Sequence, residues 1–260
     1  MSLHHVSTEA IPSPALHQVL ETDLISDDHW DNIDNYADTM KRDGYVKFPN
    51  LLNDLAQVIS QQDTAFRPNM RMKDFIMPEV NSQRTMKVLS GTELANASPI
   101  FFTLYFHHEV RDFLSKVVGS SVHSVQHRSE FMVSNMLSGQ GHTHGWHLDD
   151  PQYAFVVFLD SPKSSFGGAL EFVPNWRELC LEKGIDPNVD VEATMQELGD
   201  EITVFGDAHQ KGDAYLLDAG SHLHRVAPLQ QGGGDRWVVN MAFDSKKHID
   251  FGETADVLYG

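Results

Sequence analysis

The amino-acid sequence predicts a mainly β fold with flanking helices, the helices coming first and an antiparallel β core after them. Two changes of texture carry this expectation. Up to Gly119 the apolar residues recur largely at helical spacing, and from Val122 onward they fall into short runs broken by Gly, Pro and Asp. Many short strands separated by turn residues argue for a sandwich or a barrel. No internal repeat, low-complexity tract or linker divides the 260 residues. The chain therefore reads as a single domain, 1–260, with helices at about 26–120 packed on a core at about 122–245.

After a start interrupted by Pro12 and Pro14, Ser26 offers an N-cap, with Asp27 and Asp28 in a first turn that favours acidic side chains. Trp30, Ile33, Tyr36, Ala37 and Met40 share one helical face, and Gly44 supplies the stop. Tyr45–Phe48 alternates as a short strand ended by Pro49, and a second helix is expected from Asn53 or Asp54 to about Phe66. Residues 67–90 give no clear period beyond a strand at Thr85–Leu89. Ser98 and Pro99 pair an N-cap with proline at the first helical position. The helix they open carries a stripe through Phe102, Tyr105, Phe106, Val110, Phe113, Leu114 and Val117 to Gly119. Strands are expected at 122–126, 130–137, 145–149, 153–160, 168–173, 202–206, 213–218, 222–227 and 235–243. The more polar interval 174–200, with a short helix near Trp176 to Lys183, reads as an insertion across the mouth of the core, a surface excursion or a lid.

Nineteen basic against 37 acidic residues give a formal net charge of −18. That balance argues against nucleic acid or an anionic membrane as a partner, while leaving room for a local basic pocket. Cys180 is the only cysteine, which rules out an intrachain disulfide and a thiolate zinc site. Met1–His17 lacks the basic and apolar segments of a signal peptide, and no stretch approaches the ~20 apolar residues of a spanning helix. A reducing, cytoplasmic setting is the simplest expectation. Composition leaves the oligomeric state open, a homodimer included.

The stretch with most chemistry is Gly145-Trp146-His147-Leu148-Asp149-Asp150. A His and an Asp two apart in an extended segment point to the same face, because strand side chains alternate. One imidazole and one carboxylate make two members of a 2-His-1-carboxylate set, which suits non-haem Fe(II) and leaves coordination positions open. For the third, two histidines share a face in Ser221-His222-Leu223-His224-Arg225-Val226-Ala227-Pro228. His224 is preferred, because it heads the His-Arg-Val-x-Pro run and Arg236 follows twelve residues on. An arginine opening the apolar strand Trp237–Phe243 needs a partner. The distal carboxylate of a bound dicarboxylate would match its fork, and Asp235 or Asp244 are the plain alternatives.

Together, His147-x-Asp149, Gly167-Gly168-Ala169-Leu170, Gly212-Asp213, the His224 run and Arg236 resemble the Fe(II)/2-oxoglutarate-dependent dioxygenase superfamily, in particular its prolyl-hydroxylase-like and phytanoyl-hydroxylase-like members. The order covers roughly residues 130–243, and the helix-then-strand start near 28–50 is similar. The resemblance implies a double-stranded β-helix, the jelly-roll or cupin-like core. It implies Fe(II) held by His147, Asp149 and His224, the cosubstrate 2-oxoglutarate held at its distal carboxylate by Arg236, and O2 as the second cosubstrate. The implied activity is hydroxylation or another oxidation of an unactivated C–H bond in a small molecule, such as an amino acid or a natural-product intermediate. Several members carry a Tyr on the strand before His-x-Asp that helps to hold the cosubstrate, where this chain has Met136-Leu137. Asp149 stands where related halogenases have Gly or Ala, which disfavours halogenation.

Other residues admit other readings. His142, His144 and His147 form a His-x-His-x-x-His run that would suit zinc or a cupin-like nickel, manganese or iron site. A metal-binding β-helix protein without turnover is therefore the second reading, and a protein-directed hydroxylase the third. Gly141 and Gly145 suggest a loop, which places His142 and His144 at the rim. Asp150 is expected on the face opposite Asp149, capping the turn before Pro151, and Arg128 on a strand, facing the pocket or paired with Glu130. His209 and His222 read as ordinary polar residues, His107 and His108 as a solvent-facing pair or partners of Glu109, and Trp146, Trp237 and Phe155–Phe158 as core. No catalytic group beyond the metal ligands is expected.

Overall fold

A computed structural model describes residues 23–52 and 66–260. The helix expected to end near Phe66 falls, but for Phe66 itself, outside these residues. The first expected helix is present as two, α1 (Asp27–Asp31) and α2 (Ile33–Asp43), because Asn32 leaves the helical region at φ −95°, ψ 9°. Ser26 holds the N-cap position without a side-chain bond. At the far end Gly44 takes a left-handed φ of 62°, and its missing side chain leaves room for the ring of His222. Strand β1 (Tyr45–Phe48) follows, burying Val46 and Phe48 on alternate positions.

The largest departure from the sequence reading lies at 67–90. Here β2 (Arg71–Met77) and β3 (Ser82–Leu89) form an antiparallel hairpin in register from Arg71↔Val88 to Met77↔Ser82. Burial along β3 alternates well, but the buried positions include Ser82 and Arg84, so the apolar alternation that marks a half-buried strand is interrupted. The helical region 26–120 therefore also supplies strands to the sheet. Next, α3 (Gly91–Ala97) opens with a reciprocal capping box between Ser90 and Glu93. The long helix expected from Ser98 to Gly119 is interrupted at His107, whose extended ψ of 130° separates α4 (Pro99–Phe106) from α5 (His108–Val118). Glu109 at the start of α5 accepts hydrogen bonds from the backbone of Leu24 and Ile25 and from Trp30 Nε1, tying the helix to the front of the chain.

All nine expected strands then appear, displaced by a few residues: β4 (His123–Ser124), β5 (Met132–Leu137), β6 (Thr143–His147), β7 (Tyr153–Asp160), β8 (Leu170–Val173), β9 (Phe205–Asp207), β10 (Ala214–Asp218), β11 (Leu223–Val226) and β12 (Arg236–Asp244). Between β8 and β9 stand α6 (Trp176–Lys183) and α7 (Val191–Leu198), and α8 (Thr254–Tyr259) ends the chain. The twelve strands form one curled sheet in the order β1-β10-β7-β12-β5-β3-β6-β11-β8-β9, with β2 on β3 and β4 on β12. Every pairing is antiparallel, and the whole is a double-stranded β-helix. Its end strands β1 and β9 are joined through side chains, Tyr45 Oη donating to Asp207 at 2.6 Å and Lys47 Nζ to the Ala208 carbonyl at 2.5 Å.

Strand alternation sorts β7 between two cores. Phe155 and Val157 pack outward with Phe48 of β1 and with Phe101 and Phe113 of the helical layer, while Val156 and Phe158 face inward with Phe172, Tyr215 and Val238. The segment 174–200 has a packed face of its own, where Trp176, Cys180, Val191 and Leu198 meet Trp146 and Leu223. No helix among the described residues is long and apolar enough to cross a membrane.

Candidate metal centre and its cavity

Pairing of β6 with β11 sets His147 opposite His224, their rings 4.2 Å apart between centroids. β6 ends at His147, so Asp149 lies beyond the strand and not, as expected, within it. Its backbone N–H donates to the Ala219 carbonyl at 3.0 Å, which holds the carboxylate back over the two rings. Asp149 Oδ1 stands 3.4 Å from His147 Nε2 and 3.7 Å from His224 Nε2. One ligand atom from each of the three lies within 4.8 Å of the others.

Each histidine is also oriented from behind. His147 Nδ1 is 2.7 Å from the Gly145 carbonyl and His224 Nδ1 is 2.9 Å from the His222 carbonyl. A carbonyl only accepts, so both protons sit on Nδ1 and both Nε2 lone pairs face Asp149. Burial pushes His147 well below the usual imidazole range and His224 down to about 4, so both are neutral, as ligation requires. The Asp149 carboxyl is pushed up to about 7 by burial and by Asp150, with Arg84 opposing. Two neutral Nε2 donors and a carboxylate, braced by backbone carbonyls, fit a divalent transition metal.

The rim placement of His142 and His144 is half right. His142 is at a turn, where its Nδ1 accepts from the Ser138 N–H at 3.3 Å. His144 is instead on β6 itself, stacked on His147 at 4.0 Å between centroids. The reason is an irregularity in pairing: three residues of β11 (His224 to Val226) oppose four of β6 (His147 to His144), so both histidines turn the same way. Gly145 makes this fit possible, since a Cβ there would strike Ser82 Oγ and lie 2.7 Å from the Gln83 carbonyl oxygen. The Gly145 signal was therefore a close strand approach and not a loop.

Beside His147 and Asp149 is a cavity of about 180 Å³. Two of its lining residues were missed as site residues in the sequence. Arg84, on β3, is 1% exposed, and its Nη1 donates to Ser82 Oγ at 3.0 Å and to the Gln83 carbonyl at 3.2 Å. Its Nε has no partner, and no carboxylate pairs with it among the described residues. Burial lowers its pKa to about 10, which leaves it charged at neutral pH. Glu130 has an unpartnered Oε2 and a carboxyl raised well above the usual range by burial, with Asp149 and Asp150 adding to it. It does not pair with Arg128, which is exposed on a turn. The C-terminal helix α8 supplies Ala255, Leu258 and Tyr259 as a wall. Asp150 lines the same cavity and accepts from the Gly252 N–H at 2.9 Å, not capping the turn before Pro151. An interior position for Arg84 was readable only if β3 had been recognised first.

Arg236 opens β12, 2% exposed, on the inward face of the β-helix. Neither plain alternative partners it: Asp235 pairs with Arg67, and Asp244 accepts from the N–H groups of Gln152 and Lys246. Its guanidinium lies over the ring of Phe158 at 4.9 Å and beside the Tyr215 hydroxyl, while its Nε is unpartnered. His209, expected as an ordinary polar residue, is buried and stacked on Phe158 at 4.5 Å.

A family model described as Halogenase D matches residues 28–258. No curated protein matches the chain in sequence. Among solved structures, the non-haem α-ketoglutarate-dependent epimerase SnoN from nogalamycin biosynthesis superposes with a TM-score of 0.61 at 15% identity, covering 82% of this chain and 81% of that one. AviO1 from Streptomyces viridochromogenes Tue57 gives 0.59 at 15% identity, covering 84% and 97%. A prolyl hydroxylase from Trichoplax adhaerens, solved with a peptide of hypoxia inducible factor, gives 0.56 at 13% identity, covering 85% and 92%. SnoN has also been solved with Fe3+, α-ketoglutarate and nogalamycin RO. The chain belongs to the Halogenase D family and carries the fold of the Fe(II)/2-oxoglutarate-dependent oxygenases.

Proposed function

We propose that the protein is an Fe(II)/2-oxoglutarate-dependent oxygenase that hydroxylates a C–H bond of a small zwitterionic molecule, a free amino acid being the simplest. The observation that carries this reading is the placement of Arg84 and Glu130, a buried cation and a buried carboxyl without partners for their Nε and Oε2, in one cavity with His147 and Asp149. In the reading, His147, Asp149 and His224 hold the metal, and Arg236 holds the distal carboxylate of 2-oxoglutarate. Iron(II) with 2-oxoglutarate and O2 supplies the oxidising power to break an unactivated C–H bond, the cosubstrate leaving as succinate and CO2. The chain's own residues do the rest. Arg84 receives the substrate carboxylate, for which a guanidinium fork is well matched. Glu130 receives its ammonium, and losing its raised pKa on pairing makes the two contacts mutually supportive. The walls from α8 and β3 exclude water from the reacting carbon.

Halogenation, the activity in the family's description, is disfavoured by Asp149, because its carboxylate stands where a halogenase would leave room for chloride. A cavity this small favours a small molecule over a protein segment, and a passive metal holder has no use for Arg236. The test is anaerobic titration of the metal-free protein with Fe(II) and 2-oxoglutarate, followed by the weak visible charge-transfer band. A band that needs both additions and is lost in His224→Ala supports the reading, and a panel of free amino acids in chloride buffer then reads turnover as succinate. Iron binding without the band would favour the metal-binding β-helix, and a chlorinated product would overturn the role given to Asp149.

A further inference from the structure

The interval 174–200 reads in the sequence as a surface excursion or a lid, and the cavity beside His147 and Asp149 is bordered by that interval and by the C-terminal segment. We infer that the C-terminal segment 245–259, and not 174–200, is the lid of this cavity. The inference rests on the proposed function in one respect, that the cavity is the substrate's. Segment 174–200 adds Arg177 and Asn188 to the lining, but it is fastened elsewhere. Trp176 and Cys180 are fully buried in a core shared with Trp146 and Leu223. Trp176 Nε1 donates to the Pro187 carbonyl at 3.0 Å. Arg177 ties α6 to the turn before β11, its N–H donating to the Ser221 carbonyl at 3.1 Å and its Nε to the Gly220 carbonyl at 2.7 Å. Lifting this segment would open a packed core to water.

The C-terminal segment is held more lightly. Residues 245–253 form neither helix nor strand, and most of them are exposed. The buried side chains of α8 are Ala255, Leu258 and Tyr259, and all three line the cavity. Leu258 and Tyr259 pack in one cluster with Val88 of β3 and Val133 of β5. The Gly252 N–H donates to Asp150 at 2.9 Å, Lys73 Nζ to the Val257 carbonyl at 3.2 Å and Arg71 Nη2 to the Tyr259 carbonyl at 3.4 Å. Asn135 Nδ2 donates to the Tyr259 hydroxyl at 3.4 Å. The contacts at 3.2–3.4 Å are long for hydrogen bonds. Two cations of β2 therefore hold the helix by its last carbonyls, the end where its dipole favours positive charge. A six-residue helix on so few contacts opens far more readily than the sheet beneath it. Its opening uncovers the cavity that holds Arg84 and Glu130 while β3, β6 and β11 stay in place.

Two thiols read the two segments against each other. Cys180, the only cysteine of the chain, lies in the core of 174–200, and Val88→Cys adds a second thiol in the cluster that α8 covers. The full-length variant, metal-free and again with Fe(II) under nitrogen, is treated with iodoacetamide, and each labelling rate is divided by its rate in urea. The thiol of Val88→Cys is expected to react at least about tenfold faster than Cys180, because a lightly held segment opens locally before a packed one. Adding Lys73→Ala should speed that thiol by about two- to tenfold, the weight of a lost hydrogen bond, and leave Cys180 unchanged. Cys180 reacting first would make 174–200 the lid. Equal rates would mean that both thiols wait for global unfolding, and no response to Lys73→Ala would mean that β2 does not hold α8. Each of these results overturns the inference. Val133→Cys, in the same cluster, serves if Val88→Cys does not fold. The labelling needs neither 2-oxoglutarate nor turnover, so absence of the charge-transfer band would overturn the proposed function and leave the lid standing.

Discussion

Two arginines are buried here as deeply as the core leucines, and they differ in how they are held. Arg236 lies over an aromatic ring and beside a tyrosine hydroxyl, at the start of a strand that carries a recognisable spacing from His224. Arg84 is wrapped on the carbonyls and hydroxyl of its own strand, in a hairpin that the sequence does not announce. Both lack a carboxylate among the described residues, and both have an unpartnered Nε. A buried charge left in this state is costly unless a ligand completes it. The comparison teaches that one β-helix encloses two unpaired cations on different strands; under the proposed function Arg236 would serve the cosubstrate and Arg84 the substrate, on either side of His147, Asp149 and His224.

The largest effect should come from removing what both sites serve. Asp149→Ala is expected to abolish hydroxylation and to weaken iron by more than the ten- to hundredfold typical of losing an outer hydrogen-bond partner. Unchanged turnover would remove Asp149 from the centre and with it the reason for two anion sites around it.

The comparison itself is broken or sharpened by a crossed pair. Arg236→Gln should raise the 2-oxoglutarate requirement at least about thirtyfold, and Arg84→Gln should raise the KM for a carboxylate-bearing substrate by a similar factor. Each should spare the other ligand: the charge-transfer titration with 2-oxoglutarate stays near wild type in Arg84→Gln, and the preference for a substrate acid over its amide persists in Arg236→Gln. Loss of 2-oxoglutarate binding in Arg84→Gln would mean that the two arginines serve one ligand.

The same contrast explains what the sequence revealed. The strands from Val122 on alternate cleanly or run fully apolar, as in Tyr153–Asp160, and they were placed within a few residues. Three site residues, His147, Asp149 and His224, converge in space as their spacing suggested, although Asp149 arrives through a backbone bond to Ala219 and not by strand alternation. Arg84 and Glu130 were lost for a physical reason. Sequence periodicity marks burial by apolarity, and these two carry enclosed charged groups, so they leave no such signal. His144 was lost because a pairing irregularity, invisible in a period of two, turned it inward.

A smaller effect should follow from disturbing that irregularity. Gly145→Ala places a methyl against Ser82 Oγ and the backbone of Gln83, which must separate β3 from β6. The expected cost is about 1–3 kcal/mol of stability, the range for overpacking, read as a lower denaturation midpoint. It should also weaken the substrate more than the cosubstrate, since β3 carries Arg84 while Arg236 is on β12. Equal weakening of both would mean that the strain spreads through the sheet.

The smallest effect has the opposite sign. Glu130 has a carboxyl raised by burial, Asp149 and Asp150 in the folded protein, against about 4.3 in an unfolded chain. Between those values the folded state binds the extra proton, so Glu130 costs stability increasingly as pH rises through its folded pKa. Glu130→Gln keeps the shape and removes that cost. In metal-free protein at pH 7–8 it is expected to raise Tm by about 2–4 °C, roughly 1 kcal/mol for a chain of this size, with the gain fading toward pH 4. The same variant should bind the zwitterionic substrate more weakly, because the ammonium loses its counter-charge. A variant that melts lower than wild type at neutral pH would show that Glu130 already has a partner in the folded protein, and the cavity would then present an anion site at Arg84 without the cation site that makes the pair read as a zwitterion.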